Sequence, residues 1–296
     1  MGLLRLTRPA NVVTAVADIL AGIAISGYFL LVGSSEWSWI SIIALIASTK
    51  GLYAGGVVFN DVFDAELDAV ERPERPIPSG IVSKTEATLW GLLLLTIGIG
   101  ASIIVHRSLF SITVALAIAI AVCALVYDKW CKHHFIAGPL TMGLCRGLNL
   151  LLGISIIPGA VETHWLFGLI PIIYIAAITV VSRGEVHGGG KPALYFAAFL
   201  YTAVLATLLI ISINNGQFIP AMFFILGFAT MILPPLVKAI QKPIGPLIGK
   251  AVKSGVIGLI LMDATWAAAF GLPYYALAIA LLLPLSILLA RLFAVT

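Results

Sequence analysis

Ten apolar runs, each about long enough to cross a bilayer, divide almost the whole chain: residues 11–33, 38–60, 86–105, 109–127, 137–156, 165–182, 193–213, 218–238, 250–270 and 273–293. A helix rises about 1.5 Å per residue, so about 20 residues span a hydrocarbon core about 30 Å thick. In lipid the backbone has no water to bond, and each run must satisfy its own N–H and C=O groups as a helix. Only 10% of the residues are charged, against roughly 25% in a soluble domain, so no water-facing surface can be made from them. The fold class predicted is all-α, a polytopic membrane protein with nine to ten transmembrane helices. The count is left open because Gly271–Leu272–Pro273 alone parts the last two runs, which read as a tight hairpin or as one broken element. The first run lacks a small-residue cleavage site and reads as a span rather than a removed signal.

Charge placement gives the orientation. With the N-terminus on the cytoplasmic side, 14 of the 17 basic residues fall there, all except Arg107, Lys50 and Arg146. Lys and Arg near span ends resist translocation, which produces this bias. The net charge of +4 therefore reflects topology, and no nucleic-acid partner is implied; membrane lipid is the expected surround. No separate soluble segment is long enough to make a second unit, so residues 1–296 read as a single membrane domain. Cys123, Cys131 and Cys145 are odd in number and show no metal-ligand spacing, and Cys131 with His133 and His134 reads as an ordinary polar loop.

The acids are few and gathered. Of 13 carboxylates, Asp61, Asp64, Glu66, Asp68, Glu71 and Glu74 lie together after the second run. If that helix continues past the membrane surface, Asn60, Asp64 and Asp68 stack at i, i+4 and i+8, with Asp61 beside them. Like charges so placed repel unless cations bridge them. Hard oxygen ligands suit Mg²⁺, which joins one or two carboxylates to phosphate oxygens and keeps several waters. Arg72-Pro73-Glu74-Arg75-Pro76-Ile77-Pro78 follows, where prolines forbid helix and predict an extended, turning loop. Arg72 and Arg75 held there can pair bidentately with a diphosphate.

Asn60-Asp61-x-x-Asp64-x-x-x-Asp68 followed by Arg72-Pro73-x-Arg75-Pro76-Ile77-Pro78-Ser79-Gly80 closely resembles the first signature of the UbiA superfamily of intramembrane prenyltransferases. Arg8-Pro9 resembles the family's opening, and Tyr127-Asp128-Lys129-Trp130-Cys131-Lys132 its loop after the fourth span. The resemblance implies a helical bundle, a prenyl diphosphate donor, an acceptor nucleophile and Mg²⁺. Carried over residue by residue, it makes Asn60, Asp61, Asp64 and Asp68 metal-site residues. Arg72 and Arg75, with Lys129, Lys132, Arg183 and Lys191, become diphosphate-binding candidates.

After the sixth run the family carries a second acid motif. Here the sequence is Ser182-Arg183-Gly184-Glu185-Val186-His187-Gly188-Gly189-Gly190-Lys191. Glu185 is its only carboxylate, and Ser182 stands where the family's leading Asp is expected. Glu185 is assigned to metal binding and, with Asp64 and His187, to the catalytic set, His187 as a general base. The glycines let backbone N–H groups approach a phosphate. The acceptor implied is a non-aromatic one, such as a sugar phosphate or cyclitol. The Ser-Arg-Gly-Glu-Val-His run resembles the UbiA-like EboC subgroup of Ebo-type bacterial gene clusters, which implies a bacterial inner membrane with the active-site loops cytoplasmic.

Ionisable residues inside spans are costly and face a cavity or a partner. Arg146 and Asn149, one turn apart, can line one face with a polar ligand and join the diphosphate candidates; Lys50 can pair with Asp18; Asp263 has no assigned role. Two readings from other classes stand beside the enzyme: a transporter or lipid scramblase, and a non-catalytic assembly protein.

Overall fold

A computed structural model describes residues 2–31, 36–185, 188 and 190–292. Among them there is no strand. The helices are α1 (Gly2–Leu6), α2 (Pro9–Ile25), α3 (Tyr28–Leu31), α4 (Trp39–Phe63), α5 (Ala65–Glu71), α6 (Lys84–His106), α7 (Ile112–Val126), α8 (Ala137–Ile154), α9 (Ala160–His164), α10 (Leu169–Ser182), α11 (Lys191–Asn214), α12 (Phe218–Gln241), α13 (Gly245–Ala269), α14 (Pro273–Ala280) and α15 (Leu282–Leu292). Each apolar run of the sequence becomes helix. Among the described residues eight segments are long and apolar enough to cross a membrane, the last of them α14 and α15 taken together. The other two runs become α2, with 17 residues, and α13, with 25 residues including Lys250, Lys253 and Asp263. Outward-facing Leu93, Ile104, Phe199 and Phe223 are 49–70% exposed, an apolar surface that suits lipid and not water.

Small residues set the packing. α4 lies along α6, where a Cβ on Gly51 would stand 2.6 Å from the Leu94 carbonyl and 2.7 Å from the Gly98 nitrogen. Such close approach lets two backbones meet in lipid, where helices gain from van der Waals contact rather than from leaving water. α13 is the innermost helix: from Ile257 to Ala269 only Leu261 is not fully buried. It packs on α2, α10 and α12, and Trp266, Tyr174 and Phe228 are among the largest fully buried side chains. These contacts bring α2, α8 and α13 together beneath the C-terminal ends of α4 and α10.

The predicted loop after the fourth span is instead a single π-helical turn, Tyr127–Cys131, continuing α7. Wider turns of this kind recur at functional sites because they re-aim side chains. The proline segment is not extended either. Arg75 N–H donates to Arg72 O at 3.0 Å, Ser79 N–H to Arg75 O at 3.0 Å and Val82 N–H to Pro76 O at 3.0 Å. Proline fixes only its own φ near −65°, which suits turns as well as extended chain. Gly80 closes the segment at φ +73, and Ser83 with Glu86 forms a capping box that starts α6.

Candidate functional site

The acid face begins where α4 leaves the apolar zone. The helical ladder does not stop there: Asp64 N–H donates to Asn60 O at 3.0 Å, Asp68 N–H to Asp64 O at 2.8 Å and Arg72 N–H to Asp68 O at 2.8 Å. A bend at Asp64 parts α4 from α5 without losing this four-residue rhythm. Asn60, Asp64 and Asp68 therefore occupy successive turns, as their spacing predicts.

Every carboxylate of the stripe meets a cation. Asp61 Oδ1 takes Arg8 Nη2 at 2.8 Å and Arg75 Nη1 at 3.3 Å, and the same Arg75 nitrogen donates to Asp68 Oδ2 at 2.6 Å. Asp64 is paired with Lys132. Asn60 Nδ2 donates to Asp128 Oδ1 at 2.7 Å, which ties α4 to the π-helical turn. The side chains are sheltered but reachable, from 5% exposed for Asp68 to 23% for Lys132.

The second loop approaches from α10. Glu185 is half-buried and accepts no hydrogen bond among the described residues; burial pushes its carboxyl above the ordinary range, and the nearby Arg72 guanidinium opposes that. Its carboxylate lies against the first turns of α13, where a Cβ on Gly249 would come within 3.1 Å of Oε1. Arg72 thus faces the second loop, while Arg75 faces the stripe. Arg183 donates to His134 O at 2.9 Å and stacks over Phe135, linking this loop to the start of α8. Ser182 Oγ turns back to Thr179 O at 2.9 Å. Gly188 has φ +82, a conformation that needs glycine. Val186, His187 and Gly189 lie outside the described residues, so the assignment of His187 does too.

The remaining candidates are placed elsewhere. Lys129 reaches over the Trp130 ring, 4.6 Å from its centroid, and Lys191 is exposed at the start of α11. Arg146 and Asn149 are not brought to the acid stripe. Arg146 donates to Asp18 Oδ2 at 2.6 Å and to Thr14 Oγ1, and sits over Tyr53. Asn149 donates to the same Asp18 oxygen at 2.9 Å and to Ala15 O at 2.9 Å, and accepts from Thr49 at 2.8 Å. Asp18 thus pairs with Arg146, not with Lys50. Asp263 is fully buried with its carboxyl within hydrogen-bonding reach of Asp18, and no N–H group among the described residues donates to its oxygens.

Two side chains of the site had no role in the sequence reading. Arg8 had only its place in Arg8-Pro9 to mark it; it stands at φ 44, ψ 68, a region disfavoured for a side-chain-bearing residue and more so before proline. That backbone turn accompanies its reach to Asp61. Asp128 lay in a quoted motif but without partners, because a π-helical turn leaves no periodic signal.

The donor set is chemically apt for a hard divalent ion: Asp61, Asp64, Asp68 and Asp128 carboxylates, the Asn60 amide and, across the gap, Glu185. Among the described residues no three acid, imidazole or thiol groups form a ready metal cluster. Guanidinium and ammonium groups stand between carboxylates that would otherwise repel one another. The set fits Mg²⁺, which needs few protein carboxylates when phosphate and water complete its shell.

Comparison with known proteins agrees with this arrangement. The profile described as the UbiA prenyltransferase family matches residues 20–243. A digeranylgeranylglyceryl phosphate synthase of Methanothrix thermoacetophila is 29% identical over 222 residues, 71% of this chain and 77% of the relative. Among solved structures, a UbiA homolog from Aeropyrum pernix K1 superposes with TM-score 0.69 at 17% identity, over 86% of this chain and 96% of its own. A UbiA homolog from Archaeoglobus fulgidus bound to GPP and Mg²⁺ gives TM-score 0.58 at 12% identity, over 94% and 99%. At such identities the structures establish a common fold.

Proposed function

This chain belongs to the UbiA prenyltransferase family, and from that premise we propose that it moves a prenyl group from a polyprenyl diphosphate to a phosphate-bearing polyol, with Mg²⁺ as cofactor. The observation that carries the reading is the stripe of Asn60, Asp64 and Asp68 on successive turns, each carboxylate faced by a movable cation. Asp61, Asp64 and Asp68, with Asn60 beside them and Glu185 opposite, would hold the metal. When bound, Mg²⁺ neutralises the diphosphate and makes it a better leaving group.

The chain's own residues do the rest. Arg75 and Lys132 exchange their carboxylate partners for phosphate oxygens as the donor enters, and Arg72, near Glu185 and in no ion pair among the described residues, adds a further guanidinium. Arg183, held by His134 O, and Lys191 lie farther out on the second loop and steer the anion inward. The C1–O bond breaks with its electron pair leaving on the diphosphate. An acceptor hydroxyl then attacks the allylic carbon and passes its proton to the departed diphosphate. Apolar helix walls keep water from the cation. A sugar-phosphate or cyclitol acceptor is the chemistry expected from the second loop; the relative's printed name favours a glyceryl phosphate, which is equally a phosphate-bearing polyol.

Transport is less well supported. Asp18, Arg146 and Asp263 are 0–5% exposed, which leaves no wetted charge path at that level. The test is incubation of purified protein with radiolabelled prenyl diphosphates of several lengths, Mg²⁺, and glyceryl-phosphate, sugar-phosphate and lipid-extract acceptors. A labelled product and released diphosphate, both dependent on metal and lost in Asp64→Ala, are expected. Donor binding without product from any acceptor would leave an assembly protein as the better reading.

A further inference from the structure

Away from the acid face, the cytoplasmic ends of α12 and α13 and the side of α15 enclose a cleft of about 380 Å³. That lies within the roughly 300–1,000 Å³ of small-molecule sites. Its walls are apolar, with Met231, Leu247, Ile257 and Ile287 among them, and its rim carries Lys238, Lys250 and Lys253. Pro234 and Pro235 line it from within α12. Without their N–H groups the helix loses two backbone hydrogen bonds there, so the cleft opens where the helix is weakest.

No carboxylate among the described residues forms an ion pair with this rim; Glu185 lies against Gly249 and does not line the cleft. Beyond Glu185 the chain has a single carboxylate, Asp263, and that one is fully buried. All three rim lysines are exposed, and none forms an ion pair among the described residues. The acid stripe differs here, since each of its carboxylates meets a cation. Topology explains why lysines lie on the cytoplasmic side. It does not explain three of them around one apolar cleft, none in an ion pair among the described residues.

We propose that this cleft holds one anionic phospholipid of the bilayer, its phosphate among Lys238, Lys250 and Lys253 and an alkyl chain along Met231, Ile257 and Ile287. The complementarity is of both kinds. An ammonium cluster at the headgroup level attracts phosphate, and the apolar walls replace the lipid that an alkyl chain would otherwise touch. A zwitterionic lipid adds an ammonium of its own and is disfavoured. The lipid resides there and does not react, since no residue of the acid stripe or of the second loop lines the cleft.

The test uses the full-length protein purified with native lipid, then exchanged into nanodiscs of equal phosphatidylglycerol and phosphatidylcholine. Native mass spectrometry reads the lipid retained after release. Wild type is expected to keep one phosphatidylglycerol in preference to phosphatidylcholine. Affinity should fall about fivefold for each lysine replaced in the series Lys250→Gln, then with Lys253→Gln, then with Lys238→Gln. Met231→Trp, which fills the apolar part and leaves the charges, should lower retention of the same lipid. Melting curves of each variant confirm folding. Equal retention of the two lipids, or no change across the lysine series, overturns the proposal; so does finding the retained lipid prenylated.

Discussion

Two charge clusters join the same helices at different depths. At the end of the bundle where α4 stops, Arg8 before α2, Asp61 and Asp64 on α4 or its end, and Lys132 before α8 form pairs whose side chains are 7–23% exposed. Farther in, Asp18 on α2, Thr49 on α4, and Arg146 and Asn149 on α8 form a second cluster, and there Asp18 and Arg146 are 0% and 5% exposed. The outer cations are the more open, Arg8 at 15% and Lys132 at 23% against 5% for Arg146. Under the proposed function a cation there can leave its carboxylate for a phosphate with solvent at hand. Arg146 has its hydrogen bonds to Asp18 and Thr14 and the face of Tyr53, and leaving them would strand charge in an apolar interior. Under the proposed function, the shallower pairs are the site and the deeper pair is structure.

Arg146→Met tests the structural side and should show the largest effect. Removing one partner leaves Asp18 buried without its cation, at a cost of about 3–5 kcal/mol. Melting in detergent should show this loss, while turnover per folded molecule stays near wild type. If stability held and the KM for prenyl diphosphate rose, Arg146 would be a ligand-binding residue after all, and the contrast in depth would fail.

Asp64→Ala should behave in the opposite way. Its pair with Lys132 is partly exposed and contributes about 1 kcal/mol or less to folding. Turnover should nevertheless drop about 100-fold or more, as when a group stabilising the leaving charge is removed. A smaller loss falls on Arg75→Lys. The charge remains, but the planar guanidinium whose Nη1 bridges Asp61 and Asp68 goes, and the KM for the donor should rise about tenfold at nearly constant kcat. Asp263→Asn is expected to be neutral or stabilising, because its amide can donate to Asp18, whose Oδ1 has no donor among the described residues. Lys129→Gln, changing a side chain that rests on Trp130, should alter neither turnover nor melting.

The contrast also marks what a sequence can carry. The ten apolar runs became helices because a bilayer leaves the backbone no alternative. The stripe of Asn60, Asp64 and Asp68 was legible because a helix turns near-periodically and the residues fall on that period. At Gly51 and Gly55 the missing Cβ lets α6 come close, with Gly98 and Gly91 opposite. Arg8 was not legible as a partner of Asp61, nor Asp18 as the partner of Arg146, since both are contacts across helices. Which helix faces which is decided by packing, and Asp18 and Arg146 are 128 positions apart. Lys50 was an equally good partner for Asp18 on the sequence alone. The π-helical turn at Tyr127–Cys131 gave no signal either, because one wider turn leaves apolar periodicity unchanged on both sides. The altered second motif was visible, but the nearness of Glu185 to Arg72 depends on how two loops fold over the helix ends.

The most direct measurement is calorimetric titration of a non-hydrolysable thio-analogue of a prenyl diphosphate, with and without Mg²⁺. It is applied to wild type, to an Asp61→Asn, Asp64→Asn double variant, and to Arg146→Lys as a folded control for the inner cluster. The expected result is tight, Mg²⁺-dependent binding in wild type, its loss in the double variant and its retention in Arg146→Lys. Mg²⁺-dependent binding that survives in the double variant would contradict the assignment of the metal and the diphosphate to the acid face.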